Sequence, residues 1–129
     1  MSALFLRDAA VIALTAAADY SAGRGKSVTI SGDTATLSAS ASVHARGIIL
    51  EGATSGNQVT VAILGAGGGT VPAKLSGTVT KGDKMQQHTD GTWITDAATG
   101  ARVVSLVALE SGVSGDIIEA ATLTPITLS

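Results

Sequence analysis

The sequence predicts an all-β fold, a compact small barrel or sandwich with an extended N-terminal arm and at most a short helix. Three observations carry this. From Lys26 onward, short runs such as SVTIS (Ser27–Ser31) and QVTVAIL (Gln58–Leu64) alternate apolar with small polar residues, the period that puts one face of a strand on a core. Turn signals, among them Gly-Asp and Asp-Gly pairs and the glycine run Gly65–Gly69, interrupt these runs every roughly 8–12 residues, the turn spacing of small barrels and sandwiches. No stretch after Lys26 repeats its apolar residues at helical spacing.

Taken in order, residues 1–14 read as an arm with a short first strand over Ala10–Leu14, and residues 15–129 as a single β domain. A helix capped by Asp8 over Ala9–Asp19, or one helical turn near Ala16–Tyr20, is the competing reading, because alanine is the strongest helix former. Ser27–Ser31 and Thr34–Ser38 flank the turn Gly32-Asp33, which makes them a hairpin. Gly47–Glu51 is a short apolar run, followed by Gln58–Leu64. The glycine run Gly65–Gly69 then connects to Thr70–Leu75, which Pro72 marks as an edge strand or a bulge. Gly82-Asp83 and Asp90-Gly91 bracket Lys84–His88, and Thr92–Thr95 follows. Arg102–Leu109 is the most apolar candidate; Gly115-Asp116 precedes Ile117–Ala121, and Pro125–Leu128 closes the chain. Beyond the recurring Gly-Asp turns, no internal repeat stands out.

Composition narrows the function. Apolar residues make up 45% of the 129, yet the aromatics are only Phe5, Tyr20 and Trp93, so the core is built from Val, Ile, Leu and Ala. Such a chain gains from a partner surface, which favours an oligomer or an assembly-bound protein. Charged residues are 14%, against the roughly 25% usual in soluble domains, and the net charge is −2 with no basic block. A nucleic-acid binder needs a cationic footprint, and none is present. With no cysteine, disulfides and thiolate metal sites are excluded. The apolar stretch Ala9–Ala18 is too short to span a bilayer, and Arg7 and Asp8 interrupt it as a signal peptide.

Catalytic and ligand motifs are weak. Gly65–Thr70 lacks the Lys-Ser/Thr pair and following helix of a phosphate loop. His44 and His88 are far apart, with no partner at metal-ligand spacing, and no metal or cofactor is expected. Asp33, Asp83, Asp90, Asp96 and Asp116 mostly adjoin Gly or Thr, where Asp closes turns; a calcium pair from Asp90 and Asp96 lacks dense ligand spacing. Gly112–Gly115 falls one residue short of a nucleophile elbow, so no enzyme is expected. A biotinyl- or lipoyl-type carrier shares the Gly-Asp turn, but Lys84 directly follows that turn and is not at a hairpin tip.

The order of the turns carries a resemblance. Arg46-Gly47-Ile48-Ile49-Leu50-Glu51-Gly52 with Gly56-Asn57-Gln58-Val59-Thr60-Val61 resembles the G-V-x-x-x-x-x-x-G-x-x-V-x-V core of bacteriophage capsid cement, or head-decoration, proteins. Val79-Thr80-Lys81-Gly82-Asp83-Lys84-Met85 is similar to that family's V-x-x-G-D-x-L element. Asp90-Gly91-Thr92 comes next, and Val107-Ala108-Leu109-Glu110 with Gly115-Asp116-Ile117-Ile118 resembles its A-L-E-x-x-x-x-G-D-x-I close. The match spans Ala10 to Leu123 and departs at Ser105, where the family pattern has glycine.

The resemblance implies a virion protein on the outer capsid surface that binds the major capsid protein, assembles as a homotrimer and stabilises the shell. It also implies that the arm, Ser2, Ala3, Leu4, Phe5, Leu6 and Arg7, contacts the capsid. By residue chemistry alone, Leu4–Leu6 either add apolar contact to a neighbour or cover this protein's own core. Trp93 is either an interface anchor, as lone tryptophans often are, or the plug of a core short of large side chains. The alternative function is a phage tail- or fibre-associated module, or a receptor-binding β domain.

Overall fold

A computed structural model describes residues 11–38, 40, 45–65 and 70–128. The arm Ser2–Arg7, His44 and residues 66–69 of the glycine run lie outside the described residues. The fold is all-β. The strands are β1 (Val11–Ala16), β2 (Ser27–Ser31), β3 (Thr34–Leu37), β4 (Gly47–Glu51), β5 (Gln58–Ile63), β6 (Thr70–Lys74), β7 (Lys84–Gln87), β8 (Trp93–Thr95), β9 (Arg102–Ala108) and β10 (Ile117–Leu128). Among the described residues, helix is confined to one 3-10 turn at Thr89–Gly91.

The first five strands close a barrel in the order β1-β3-β2-β4-β5, and the other five form a sheet in the order β6-β10-β9-β7-β8. A parallel bridge between Leu75 and Trp93, with Ser76 N donating to Trp93 O at 3.0 Å, draws the two edges of that sheet together. β6 is an edge strand, as Pro72 requires, because proline offers no ladder donor.

β4 explains the run GIIL, which lacks alternation. Ile49 packs into the barrel cluster with Leu14, Tyr20, Val28, Val59 and Val61. Its neighbour Ile48 points the other way and joins Ala62 and Leu64 in a second cluster with Val71, Met85, Trp93 and Leu106. A strand buried on both faces reads as continuous apolar sequence. The barrel wall is therefore also a wall of the second core.

Three joints fix the two sheets together. Gly25 N donates to Ile49 O (2.8 Å), while Lys74 N donates to Gly25 O (2.9 Å). Gly91 N reaches Ser38 O at 2.8 Å, and the Ser27 hydroxyl reaches Gly91 O at 3.2 Å. The fully buried Gln87 side chain accepts from Ala45 N at 3.1 Å.

Two of the recurring Gly-Asp turns form a structural repeat. Leu75, Val79, Thr80, Gly82, Asp83 and Met85 occupy the same structural places as Ala108, Gly112, Val113, Gly115, Asp116 and Ile118. In each copy the Asp N–H bonds the carbonyl at the start of the turn, Asp83 to Thr80 (2.9 Å) and Asp116 to Val113 (3.0 Å). In each, the Asp carboxylate takes that first residue's N–H, Thr80 at 3.0 Å and Val113 at 2.9 Å. Gly82 and Gly115 hold φ of +95° and +93°, which only glycine adopts without strain. The copies are exchanged: Gly82 and Asp83 bond Ala108, and Gly115 and Asp116 bond Leu75, at 2.8–2.9 Å. Reciprocal bonds between Val79 and Gly112, both 2.9 Å, lie between them. Sequence similarity is thin because the shared feature is the turn chemistry, with unlike core side chains.

Other boundaries moved little. β1 runs across position 14, where a division was expected, and ends at Ala16; no helical turn forms near Ala16–Tyr20. Ile117–Ala121 and Pro125–Leu128 are one strand, β10, whose pairing with β9 breaks between Thr122 and Ile126. Opposite this break lies Ser105, left between the pairs Met85–Leu106 and Gln86–Val104 as a bulge residue.

Gly25→Ala tests the first joint. With φ at +85°, an added Cβ would lie 2.7 Å from Lys74 N. The variant should lose at least about 2 kcal/mol in urea unfolding. Gly32→Ala, at φ +58° with nothing near the new methyl, should lose only about 1 kcal/mol. Equal midpoints for Gly25→Ala and wild type would contradict the joint.

Candidate functional site

The expected turn residues stand where turns are needed. Gly32-Asp33 closes the β2–β3 hairpin between Ser31 and Thr34. Asp83 also takes the Thr95 hydroxyl at 3.0 Å, tying β8 to the turn. Asp90 and Gly91 form the 3-10 turn, with φ of 58° and 74°. These residues shape the backbone and do not converge on a ligand.

Trp93 is fully buried, so the anchor expectation is corrected: its ring presents no surface to a partner. It fills the shared core beside Leu75, Met85 and Leu106, where few large side chains are available. Its indole N–H and the Ser105 hydroxyl have no hydrogen-bond partner among the described residues.

No group of three or more His, Cys, Asp or Glu side chains gathers among the described residues. Asp96, considered with Asp90, is instead paired with Arg102. That guanidinium hydrogen bond, ahead of the opposing burial and of a bond from Ala98 N (3.1 Å), holds the Asp96 carboxyl below its ordinary range. The pair closes the loop between β8 and β9, with Arg102 also donating to Gly100 O at 3.0 Å.

The surface has two features suited to contact. The first half of β1 exposes Val11 and Ile12, at 48% and 40%. There β1 pairs with β5 from Val11 to Thr15, but with β3 only at Thr15 and Ala16. One edge of Val11–Leu14 is therefore unpaired by any described strand, an arrangement open to an added strand. The second feature is a cleft of about 480 Å³ between the barrel rim and the outer face of β6 and β10. Arg24 and Leu50 line it on the barrel side, and Pro72, Glu110, Ile117 and Glu119 on the other. Arg24 Nη1 donates to Leu50 O (2.7 Å), and Glu110 takes Glu119 N (2.7 Å). Sequence reasoning missed this cleft because its lining comes from five separate stretches of chain, none bearing a motif.

The geometry defines a class: a two-sheet all-β module with an open cleft and one edge of Val11–Leu14 unpaired by any described strand. No protein-family model and no curated protein matches the chain. Among solved structures, it is similar to the head fiber gp8.5 N base of bacteriophage phi29, with a TM-score of 0.64 and 14% identity. The likeness covers 88% of this chain and 93% of that one, and at this identity it is a likeness of fold.

Two substitutions test these assignments. Trp93→Ala should cost about 3–5 kcal/mol through the cavity it leaves. Trp93→Phe, which also removes an unpartnered N–H, should cost distinctly less; equal losses would contradict the plug role. For Asp96, the lowered pKa stabilises the fold above the unfolded carboxyl value of about 3.9 and is lost as pH falls through the folded value. Solvent screening limits the pair to about 1 kcal/mol. Asp96→Asn should therefore be less stable than wild type at pH 7, with the gap closing below about pH 4. A gap independent of pH would refute the pairing.

Proposed function

We propose that this protein is a structural component of a phage particle that seats on the outer surface of the capsid as a homotrimer and stabilises the shell. The observation that supports this most is the fold likeness to a phage head fiber base over nearly the whole of both chains. The order of Gly-Asp turns, with its resemblance to capsid cement proteins, points the same way. The major capsid protein is the partner in this reading, and no catalytic step, cofactor, nucleic acid or membrane enters it.

The mechanism is mass action. A protein that binds the assembled shell and not its dissociated subunits shifts the equilibrium toward the shell. Three linked copies turn a modest contact per subunit into firm attachment, because the second and third contacts form at high effective concentration. The build suits such a role, since a double core with three hydrogen-bonded joints holds its outer loops in fixed relation. A fibre-associated or receptor-binding module is the second reading, favoured by the fact that the similar structure is the base of a fibre.

Co-sedimentation with mature shells that lack the protein tests the proposal. Saturable binding at a fixed copy number per shell, with raised heat tolerance, is expected. Failure to bind such shells would remove the capsid role and favour the fibre or receptor reading.

A further inference from the structure

The repeated Gly-Asp turn supplies an internal comparison. Both copies share backbone hydrogen bonds, an aspartate closure and a glycine φ, so the fold asks the same of their outward side chains. Thr80 opens the first turn and Val113 the second, while Lys84 follows Asp83 where Ile117 follows Asp116. All four are exposed, Val113 at 55% and Ile117 at 44%. A threonine and a lysine therefore serve this geometry, and the two aliphatic residues of the second turn are not needed to form it. Aliphatic side chains held in water on such a turn mark a contact surface.

Ile117 also lines the cleft, where it shares an apolar floor with Leu50 and Pro72. Glu110 and Glu119 border that floor. One oxygen of Glu110 takes Glu119 N at 2.7 Å, and neither carboxylate forms an ion pair among the described residues. On the barrel side, Arg24 is turned to Leu50 O at 2.7 Å. The edge of β6 adds an acceptor. Lys74 N points away from β10, since it donates to Gly25 O, and by the alternation of an antiparallel ladder the Pro72 carbonyl points away from β10 as well.

We propose that the cleft and the Val113–Ile117 turn form a docking surface for an extended, positively charged segment of the shell protein. Aliphatic side chains of that segment lie on Leu50, Pro72 and Ile117, a lysine or arginine pairs with Glu110 and Glu119, and a backbone N–H donates to Pro72 O. Two carboxylates stand against one guanidinium that is already bonded to Leu50 O, so charge complementarity sets the sign of the partner. The inference rests on the capsid reading for the partner's identity, whereas the chemistry of the site rests on the cleft itself.

Two measurements test it. In the first, methyl NMR spectra of the free protein are titrated with the peptide acetyl-Leu-Arg-Val-Lys-Leu-amide and with its charge-reversed form, acetyl-Leu-Glu-Val-Glu-Leu-amide. The cationic peptide should shift the Leu50 and Ile117 methyls saturably, and the acidic one should bind roughly two- to fivefold more weakly. Val113→Thr with Ile117→Lys copies the residues of the first turn, so its urea midpoint should match wild type while its Leu50 methyls no longer respond. In the second, co-sedimentation with shells that lack the protein should show that double variant bound at least about tenfold more weakly. Glu119→Gln should lose roughly two- to fivefold. No saturable shift of Leu50 or Ile117, or an equal response to both peptides, would overturn the site. Shells that bind the double variant as tightly as wild type would overturn docking of the shell protein at this surface. A wild type that takes the peptide but not the shell would support the site and remove the capsid reading, which tells the two failures apart.

Discussion

The structure depends on β4 being buried from both sides. Ile49 faces the barrel interior and Ile48 faces the core shared with the second sheet. Gly47, beside them, leaves no room for a side chain: a Cβ there would lie 2.4 Å from Val61 Cγ1. Separating the sheets would expose Ile48 and Leu64 to water, at about 1.5–3 kcal/mol for each large aliphatic residue. A core with one large aromatic in each cluster, Trp93 and Tyr20, is workable under this constraint, because one layer of small aliphatic strands serves two interiors. The hydrogen bonds through Gly25, Gly91 and Gln87 then set the angle at which the second sheet leans on the barrel.

The exchanged Gly-Asp turns act in the second sheet much as β4 acts between the two sheets. Each turn is closed by its own aspartate yet anchored on a strand of the other copy, so neither half completes its hydrogen bonds alone. The Asp83 and Asp116 carboxylates are therefore engaged by backbone N–H groups. The proposed attachment to a shell needs such a frame: outer surfaces kept in fixed relation, with contact made by what projects from them. One edge of Val11–Leu14, unpaired by any described strand, lies on the barrel, and the cleft beside Ile117 lies between the barrel and the second sheet.

Much of the fold is legible in the residues. The hairpin around Gly32-Asp33, the edge position imposed by Pro72 and the strand Arg102–Ala108 follow from turn chemistry and alternation. The joining of Ile117–Ala121 to Pro125–Leu128 was not legible, because Pro125 inside a strand is tolerated only where a bulge interrupts the ladder, here opposite Ser105. The role of Trp93 was open for a similar reason. A lone tryptophan has the same composition signal at an interface and in a core, and burial alone separates them.

By itself, the sequence determined the all-β class, the turn positions, the aliphatic character of the core and the lack of a basic or thiolate site. These are local properties, set by backbone preferences at Gly and Asp and by a two-residue period. Tertiary structure decided the closure of the first five strands into a barrel, the double burial of β4, the exchanged repeat and the cleft. Each of those brings together residues remote along the chain, and it is the shared exclusion of water that selects which remote strands meet.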